Sequence, residues 1–251
     1  MVKIASVQID LGNNSSLVFE SIKEYLEKAK KKKIDLVCFP ECTLKQGSKK
    51  NKIFLSRIAK ECEQNKIACI IVGNLKENKK VFNTAVIINS KGKISGKHKK
   101  VYICDSRQVH AGTSFDVFSL GSLKIGLAIC WDINDPNTVR TLAKKGAKVV
   151  FCPMYWNYEL WSHSKNHLYY EKKILQSLIL TRAYENLIYV VFCNPINPSR
   201  QTLTPYSAIA EPHKILKEIF NKEGMIDAEI DLEYIERIRN KYLKEYNKVI
   251  Q

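Results

Sequence analysis

Three polar residues stand where apolar runs of the chain stop, and their side chains could together perform nucleophilic chemistry. Glu41 follows the apolar run 36–40, Lys100 lies in a basic stretch, and Cys130 ends the apolar run 125–130. A carboxylate, an ammonium group and a thiol that meet in one place would supply a general base, an electrostatic stabiliser and a nucleophile. Taken singly, each residue has a plainer explanation as a turn residue, a surface charge or a core thiol.

The elements that would position these residues follow from the hydropathy pattern. Short apolar runs alternate with amphipathic stretches, which predicts an α/β protein. Ligands of such proteins bind outside the carboxyl ends of strands, where the three polar residues stand. Strands are predicted at 2–9, 34–39, 67–72, 81–88, 123–130, 148–152, 187–193, 206–210, 215–220 and 225–230, and helices at 18–29, 51–66, from Pro136, at 166–185 and at 232–246. Without a linker or repeat, residues 1–251 are expected to form a single domain with a mixed sheet or two sheets.

Composition restricts the partners of the chain. Apolar residues make up 45% of the 251 residues, and none of the apolar runs approaches the length of a membrane span. The N-terminus reads as a strand without an export signal, so we expect a cytoplasmic protein and no membrane partner. The net charge is +16, but the lysines are scattered, so we expect no specific nucleic-acid partner.

The cysteines and histidines do not form a convincing metal site. Most of the eight cysteines lie inside apolar runs, as expected for buried, reduced thiols. Cys38 and Cys42 could form half of a zinc site, and His163 and His167 have the i, i+4 spacing of helical ligands. Neither pair has evident further ligands at a suitable spacing. We therefore expect neither a metal nor an organic cofactor.

Several ordered segments of the chain resemble those of one enzyme family. They are 39–41, 83–86, 92–94, 98–103, 125–132 with Pro136 and Arg140 beyond, 182–186 with Asn194, and 224–232. In this order they are similar to segments of the carbon–nitrogen hydrolases of the nitrilase superfamily, over nearly the whole chain. The resemblance implies a four-layer α-β-β-α sandwich. It also implies a homodimer or higher homo-oligomer joined through a helical face, to which 166–185 would contribute.

The same resemblance implies a role for each of the three polar residues. Cys130 would attack the substrate carbonyl, Glu41 would be the general base, and Lys100 with the backbone N–H of Trp131 would hold the oxyanion. A thioester would form on Cys130 and water would hydrolyse it. We expect the helix that begins near Pro136 and the Lys100 ammonium to favour the thiolate.

One departure from the family concerns a second glutamate that many members have between the lysine and cysteine segments. Residues 101–129 contain no glutamate, and Asp105, Ser106 and Gln108 are the residues that could fill part of that space. The departure leaves open an alternative in which the chain is a catalytically impaired binding or scaffold protein.

Substrate choice depends on the walls of the pocket. The expected substrate is a small linear amide or a carbamoyl-amine, with a nitrile as an alternative. The predicted substrate-binding residues are Trp131, Tyr155, Trp156 and Asn157, together with the loop 197–204.

Overall fold

Two six-stranded sheets form the centre of the protein. The computed structural model describes residues 1–12, 14–44, 48–103, 109–157, 167–197 and 203–246. The strands are β1 (Val2–Gln8), β2 (Leu36–Cys38), β3 (Ala68–Glu77), β4 (Lys80–Ile88), β5 (Ile94–Lys99), β6 (Val117–Leu120), β7 (Leu123–Leu127), β8 (Val149–Pro153), β9 (Tyr189–Cys193), β10 (Tyr206–Glu211), β11 (Lys214–Phe220) and β12 (Gly224–Ile230). The helices are α1 (Ser15–Lys31), α2 (Ser48–Asn65), α3 (Pro136–Lys144), α4 (His167–Asn186) and α5 (Leu232–Tyr246).

The two sheets are built alike. The first has the order β12-β1-β2-β3-β4-β5 and the second the order β11-β10-β9-β8-β7-β6. Strands β1, β2 and β3 run parallel, as do β7, β8 and β9, and the flanking strands are antiparallel. Each sheet therefore has three neighbouring parallel strands whose carboxyl ends meet at one edge, where side chains from successive strands can converge.

Helices cover the outer face of each sheet. The buried side of α1 and the outward residues of β1–β3 form one apolar core with α2. Inward residues of both sheets, together with residues of α3 and α4, form the other. The result is the four-layer α-β-β-α sandwich, which confirms the fold expected from the sequence.

Local sequence explains where the helices begin. The Asn14 side chain accepts a hydrogen bond from the backbone N–H of Ser16 at 2.9 Å, which caps α1. Asp135 caps α3 by accepting from the N–H of Asn137 at 2.9 Å, and Pro136 is the first residue of that helix. The sequence predicts both helices, α1 from the helical spacing of its apolar residues and α3 from a start near Pro136.

The structure differs from the prediction most clearly in the extent of two strands and in one strand that was not predicted. The strand expected at 123–130 ends at Leu127, and a short 3₁₀-helix (Cys130–Asn134) follows it. Strand β3 extends past its buried residues to Glu77, because it pairs with β4 along its whole length. Strand β6 was not predicted, since it is only four residues long. Within the described ranges, the helices lack the combination of length and apolar character that a bilayer crossing requires.

Candidate active site

Glu41 lies in the turn that follows β2. Its backbone N–H donates to the carbonyl of Met154, which follows β8 of the other sheet, at 3.1 Å. Leu44 ends the turn and forms a bridge to Gly73 of β3. A Cβ atom at Gly73 would lie 2.2 Å from the Cβ of Leu44, so only glycine allows this close approach. The turn is thus tied to both sheets, and the carboxylate of Glu41 is buried.

Lys100 directly follows β5, and its side chain reaches Glu41. Its backbone N–H donates to the carbonyl of Asn83 on β4 at 2.8 Å, and its own carbonyl accepts from Gly112 at 2.7 Å. The Nζ atom donates to Oε1 of Glu41 at 2.7 Å. Both side chains are less than a tenth exposed. Direct pairing of the two opposite charges offsets part of the free energy that their removal from water costs.

Cys130 is the first residue of the 3₁₀-helix that follows β7, and its backbone is strained. Its φ is +48°, in the left-handed region that residues other than glycine seldom adopt. Such strain is stored at functional sites when the surrounding structure holds it. The Glu41 carboxylate and the backbone N–H of Tyr155 both lie close enough to the thiol to shift its pKa. The structure therefore brings together Glu41, Lys100 and Cys130, which are far apart in the sequence.

The surroundings of Cys130 keep the resting thiol neutral. Burial raises the pKa of the Cys130 thiol well above its ordinary value, and the Glu41 carboxylate raises it further. The Lys100 ammonium and the Tyr155 N–H lower the pKa by less. Lys100 therefore favours the thiolate, as expected, but burial and Glu41 outweigh it, so the net shift of the pKa is upwards. The effect of the helix that begins near Pro136 stays a prediction. Nucleophilic attack requires that the proton leave as the sulfur reacts.

Asp132 ties the cysteine segment to the lysine segment. Its buried carboxylate accepts from the backbone N–H groups of Ile129 at 2.9 Å, Val101 at 3.1 Å and Tyr102 at 2.7 Å. Oδ2 also lies 3.4 Å from Nε2 of His98. These contacts fix the residue before Cys130 relative to the residues after Lys100.

Asn83 is a residue of the site that sequence reasoning did not single out. Its Nδ2 donates to Oε1 of Glu41 at 2.6 Å, while its backbone carbonyl accepts from Lys100. The strand motif 83–86 was recognised only as part of the approach to Lys100. The alternation of side chains along β4 was the available signal. Ala85 and Ile87 face the core between the sheets, so Asn83, two residues before Ala85, faces the same side.

Of the four residues predicted to line the pocket, Trp131 follows Cys130, and Tyr155, Trp156 and Asn157 follow β8. The Trp131 and Trp156 rings stack with centroids 5.6 Å apart and an interplanar angle of 25°. Trp156 is buried and donates from Nε1 to Oε2 of Glu171 at 3.0 Å, whereas Trp131 is half exposed. Tyr155 reaches the thiol through its backbone, and Asn157 is exposed and bridges to Leu203. Trp131 and Tyr155 are therefore next to the nucleophile, and Trp156 is joined to them through the ring of Trp131.

The described residues do not place a cluster of metal ligands near this site or elsewhere. Within those ranges, groups of three or more His, Cys, Asp or Glu side chains suited to a metal ion are not found. The predicted residues Asp105, Ser106, Gln108 and His163, and most of the loop 197–204, lie outside the described residues. What fills the place of the family's second glutamate therefore stays a prediction.

Sequence comparisons identify related proteins along most of the chain. The model of the carbon–nitrogen hydrolase family matches residues 3–240. The omega-amidase NIT3 of Saccharomyces cerevisiae is 28% identical, with 95% of this chain and 90% of that protein covered. The 2-oxoglutaramate amidase of Bacillus subtilis is 30% identical, with 68% of this chain and 64% of that protein covered.

Structural comparisons identify the same architecture. A carbon–nitrogen hydrolase from Helicobacter pylori G27 superimposes with a TM-score of 0.85 at 21% identity and covers 100% of this chain and 98% of its own. Nit3 of Saccharomyces cerevisiae gives a TM-score of 0.82 at 24% identity, over 98% of this chain and 96% of its own. At these identities the likeness concerns the fold.

Proposed function

Because the chain belongs to the carbon–nitrogen hydrolase family of the nitrilase superfamily, we propose that it hydrolyses the amide bond of a small molecule through a thioester on Cys130. The family acts on carbon–nitrogen bonds, and curated relatives that match most of the chain are amidases. The observation that supports this proposal most directly is the buried Glu41 carboxylate, which pairs with the Lys100 ammonium and lies close enough to the Cys130 thiol to raise its pKa.

The charges of the site suit the first half of this reaction. In the resting site a neutral thiol faces an ion pair, so the group is neutral overall. When sulfur attacks the carbonyl carbon, the thiol proton passes to Glu41 and negative charge develops on the substrate oxygen. The Lys100 ammonium then exchanges one anionic partner for another, and no net charge is created in a buried place. The backbone N–H of Trp131, near the start of a helix, is the second proposed donor to this oxyanion.

Collapse of the tetrahedral intermediate requires a proton on the departing nitrogen. Glu41, now a carboxylic acid, supplies that proton as the carbon–nitrogen bond breaks, and ammonia or an amine leaves. The acyl group remains on Cys130 as a thioester. Glu41 then deprotonates a water molecule, which attacks the thioester. The carboxylic acid product leaves as the sulfur regains its proton.

The proposed substrate is a small linear amide or carbamoyl-amine. The names of two relatives, an omega-amidase and a 2-oxoglutaramate amidase, favour an amide at the end of a short acid. A net charge of +16 would draw an anionic substrate of this kind towards the protein. We propose that the stacked rings of Trp131 and Trp156, together with Tyr155 and Asn157, line the acyl side of the pocket.

Ammonia release from a panel of amides, carbamoyl-amines and nitriles, with 2-oxoglutaramate among them, tests this proposal. The wild-type protein is expected to hydrolyse at least one amide faster than the nitriles. Cys130→Ala should abolish turnover, and Glu41→Gln should reduce it by about a thousand-fold or more, since glutamine keeps the shape but accepts no proton. Brief exposure to substrate should add an acyl mass to the peptide that contains Cys130. If both variants keep the turnover rate of the wild-type protein, the assignment of Cys130 and Glu41 as nucleophile and base is refuted.

The alternative of a non-catalytic binding protein predicts a different result. Such a protein would bind members of the panel without ammonia release and without an acyl adduct. The retained contacts among Glu41, Lys100 and Cys130 favour catalysis, because a buried charge pair beside a strained thiol is costly for stability alone.

We also propose that the protein is a homo-oligomer that assembles through α4. Large apolar and aromatic side chains on the outer side of this helix are about half exposed, namely Tyr169, Tyr170, Ile174 and Tyr184. Contiguous exposed groups of this kind are typical of surfaces that become buried in an assembly.

A further inference from the structure

Asn83 and Lys100 contact the same oxygen of Glu41. Lys100 Nζ lies 2.7 Å and Asn83 Nδ2 lies 2.6 Å from Oε1. A carboxylate only accepts hydrogen bonds, so the Asn83 atom that faces it must be the amide nitrogen. Each carboxylate oxygen has two in-plane acceptor positions, and two donors at these distances occupy both of them at Oε1.

This arrangement distinguishes the two oxygens of the general base. A proton placed on Oε1 would face the hydrogens of Lys100 and Asn83. Oε2 is the oxygen left to receive the Cys130 proton. We infer that Asn83 is a positioning residue which, with Lys100, holds Oε1 of Glu41 and thereby restricts proton transfer to Oε2. This inference rests on the proposed function, since it assigns a geometry to the base of that reaction.

The amide of Asn83 is held in this orientation at a cost to its own hydrogen bonding. Among the described residues, its buried Oδ1 has no hydrogen-bond partner. A purely structural asparagine would be expected to satisfy both ends of its amide. The orphaned oxygen indicates that contact with Glu41 determines the orientation of the side chain.

A neutral donor suits this position. Residues 101–129 contain no glutamate, so this segment does not supply the second glutamate that many family members have there. An amide fixes Glu41 without adding charge beside the buried ion pair with Lys100. A carboxylate in the same place would compete with Glu41 for protons, because neighbouring carboxylates do not both ionise readily.

Two substitutions of Asn83 and one matched control test the inference. Asn83→Leu removes both the donor and the orphaned oxygen, and Asn83→Asp keeps the shape and adds a carboxylate. The control is Thr84→Val, an isosteric change at the next residue of β4, which lines a groove on the opposite face of the sheet. We expect Asn83→Leu to lower kcat/KM by about thirty- to a hundred-fold, mostly in kcat and with no loss of thermal stability. Asn83→Asp should move the acidic limb of the pH–rate profile upwards by about one unit or more.

A second readout does not depend on the substrate. The rate at which iodoacetamide alkylates Cys130, followed by the mass of its peptide across a pH series, reports ionisation of the thiol. In Asn83→Asp the added negative charge should move this profile to higher pH. Thr84→Val adds no charge and should leave the profile unchanged. If the alkylation profile of the uncharged variant Asn83→Leu also departs from that of Thr84→Val but no amide is hydrolysed, the positioning stands and the proposed function fails. If amides are hydrolysed and both Asn83 variants behave as Thr84→Val does, the inference is overturned.

Discussion

The carboxylate of Asp132 accepts a hydrogen bond from the backbone N–H of Tyr102 at 2.7 Å, and this contact joins the two segments that contain Cys130 and Lys100. The same side chain accepts from Ile129 and Val101, so three backbone donors depend on one buried carboxylate. Bonds to a charged acceptor are stronger than those between neutral groups. The relative position of the nucleophile and the ammonium group therefore depends on a residue that need not touch substrate.

Asp132→Asn should destabilise the protein and impair the site together. The asparagine amide group would present hydrogens to backbone donors, so we expect the free energy of unfolding to fall by about 2–4 kcal/mol and kcat to fall about ten-fold or more. Urea unfolding and initial rates measure the two effects. Asp135→Asn is the matched control, because asparagine caps a helix about as well as aspartate does. Equal, small effects of both substitutions would contradict the role assigned to Asp132.

Alkaline pH should destabilise the folded protein through its buried thiols. Burial raises the pKa of the Cys38, Cys130 and Cys152 thiols well above the ordinary value, and a hydrogen bond with Cys62 together with burial does so for Cys69. A raised folded-state pKa contributes stability that is present below the unfolded pKa, about 8.5, and is lost as the pH rises above it. Each thiol then costs about 1.4 kcal/mol per pH unit.

Urea unfolding in the presence of a reductant between pH 8 and pH 10.5 checks this prediction. The free energy of unfolding should fall by about 3–5 kcal/mol per pH unit at the upper end of the range. Cys152→Ala should lower the stability at neutral pH but reduce the slope by the share of one thiol. A free energy of unfolding that stays level to pH 10 would show that the thiols ionise normally in the folded protein.

Trp156 should contribute to both stability and substrate binding. Trp156→Phe removes the donor to Glu171, so we expect a loss of about 1–2 kcal/mol in the free energy of unfolding and a rise in KM. Circular dichroism is the suitable probe of unfolding, since the substitution changes the fluorescence. Trp131→Phe, at a half-exposed position, should change the stability by less than about 0.5 kcal/mol. If Trp131→Phe lowered the free energy of unfolding by more than Trp156→Phe does, the contact of Trp156 with Glu171 would not contribute as proposed.

The exposed face of α4 predicts the effect of one charge on assembly. Ile174→Lys should shift the protein from an oligomer to a monomer in analytical ultracentrifugation, because it places a charge at the centre of the apolar surface. Leu17→Lys, at an exposed leucine on α1 in the opposite outer layer, is the matched control and should leave the assembly unchanged. A wild-type protein that sediments as a monomer would refute assembly through α4.

Much of this site could be predicted from the sequence, because the ends of buried strands can be recognised from where apolar runs stop. Glu41 and Cys130 follow apolar runs closely, and the order of their segments with Lys100 is specific to one family. The distances could not be predicted. Burial of Cys130 against Glu41 reverses the expected direction of its pKa, and the left-handed backbone at that residue has no sign in the residue types. Asn83 was missed because its role depends on a contact with a residue 42 positions away.

The fold shows the same limits. Helix α1 is predicted from the spacing of its apolar residues and helix α3 from its start near Pro136, and both are local signals. Strand β6 is short and partly buried, so its four residues give little periodicity to detect. The charged end of β3 is a strand only because β4 pairs with it. The residue types of one segment do not show which other segment will pair with it.

The pairing of β1 with β12 has a consequence for how the protein is made. Val2 lies opposite Ile230 and Gln8 opposite Gly224, so β1 is synthesised long before the strand that pairs with it. Contacts this distant in the chain form slowly, because a long loop must close before they form. During synthesis one edge of β1 therefore stays unpaired until β12 has been translated, and an unpaired strand edge is prone to aggregation in that interval.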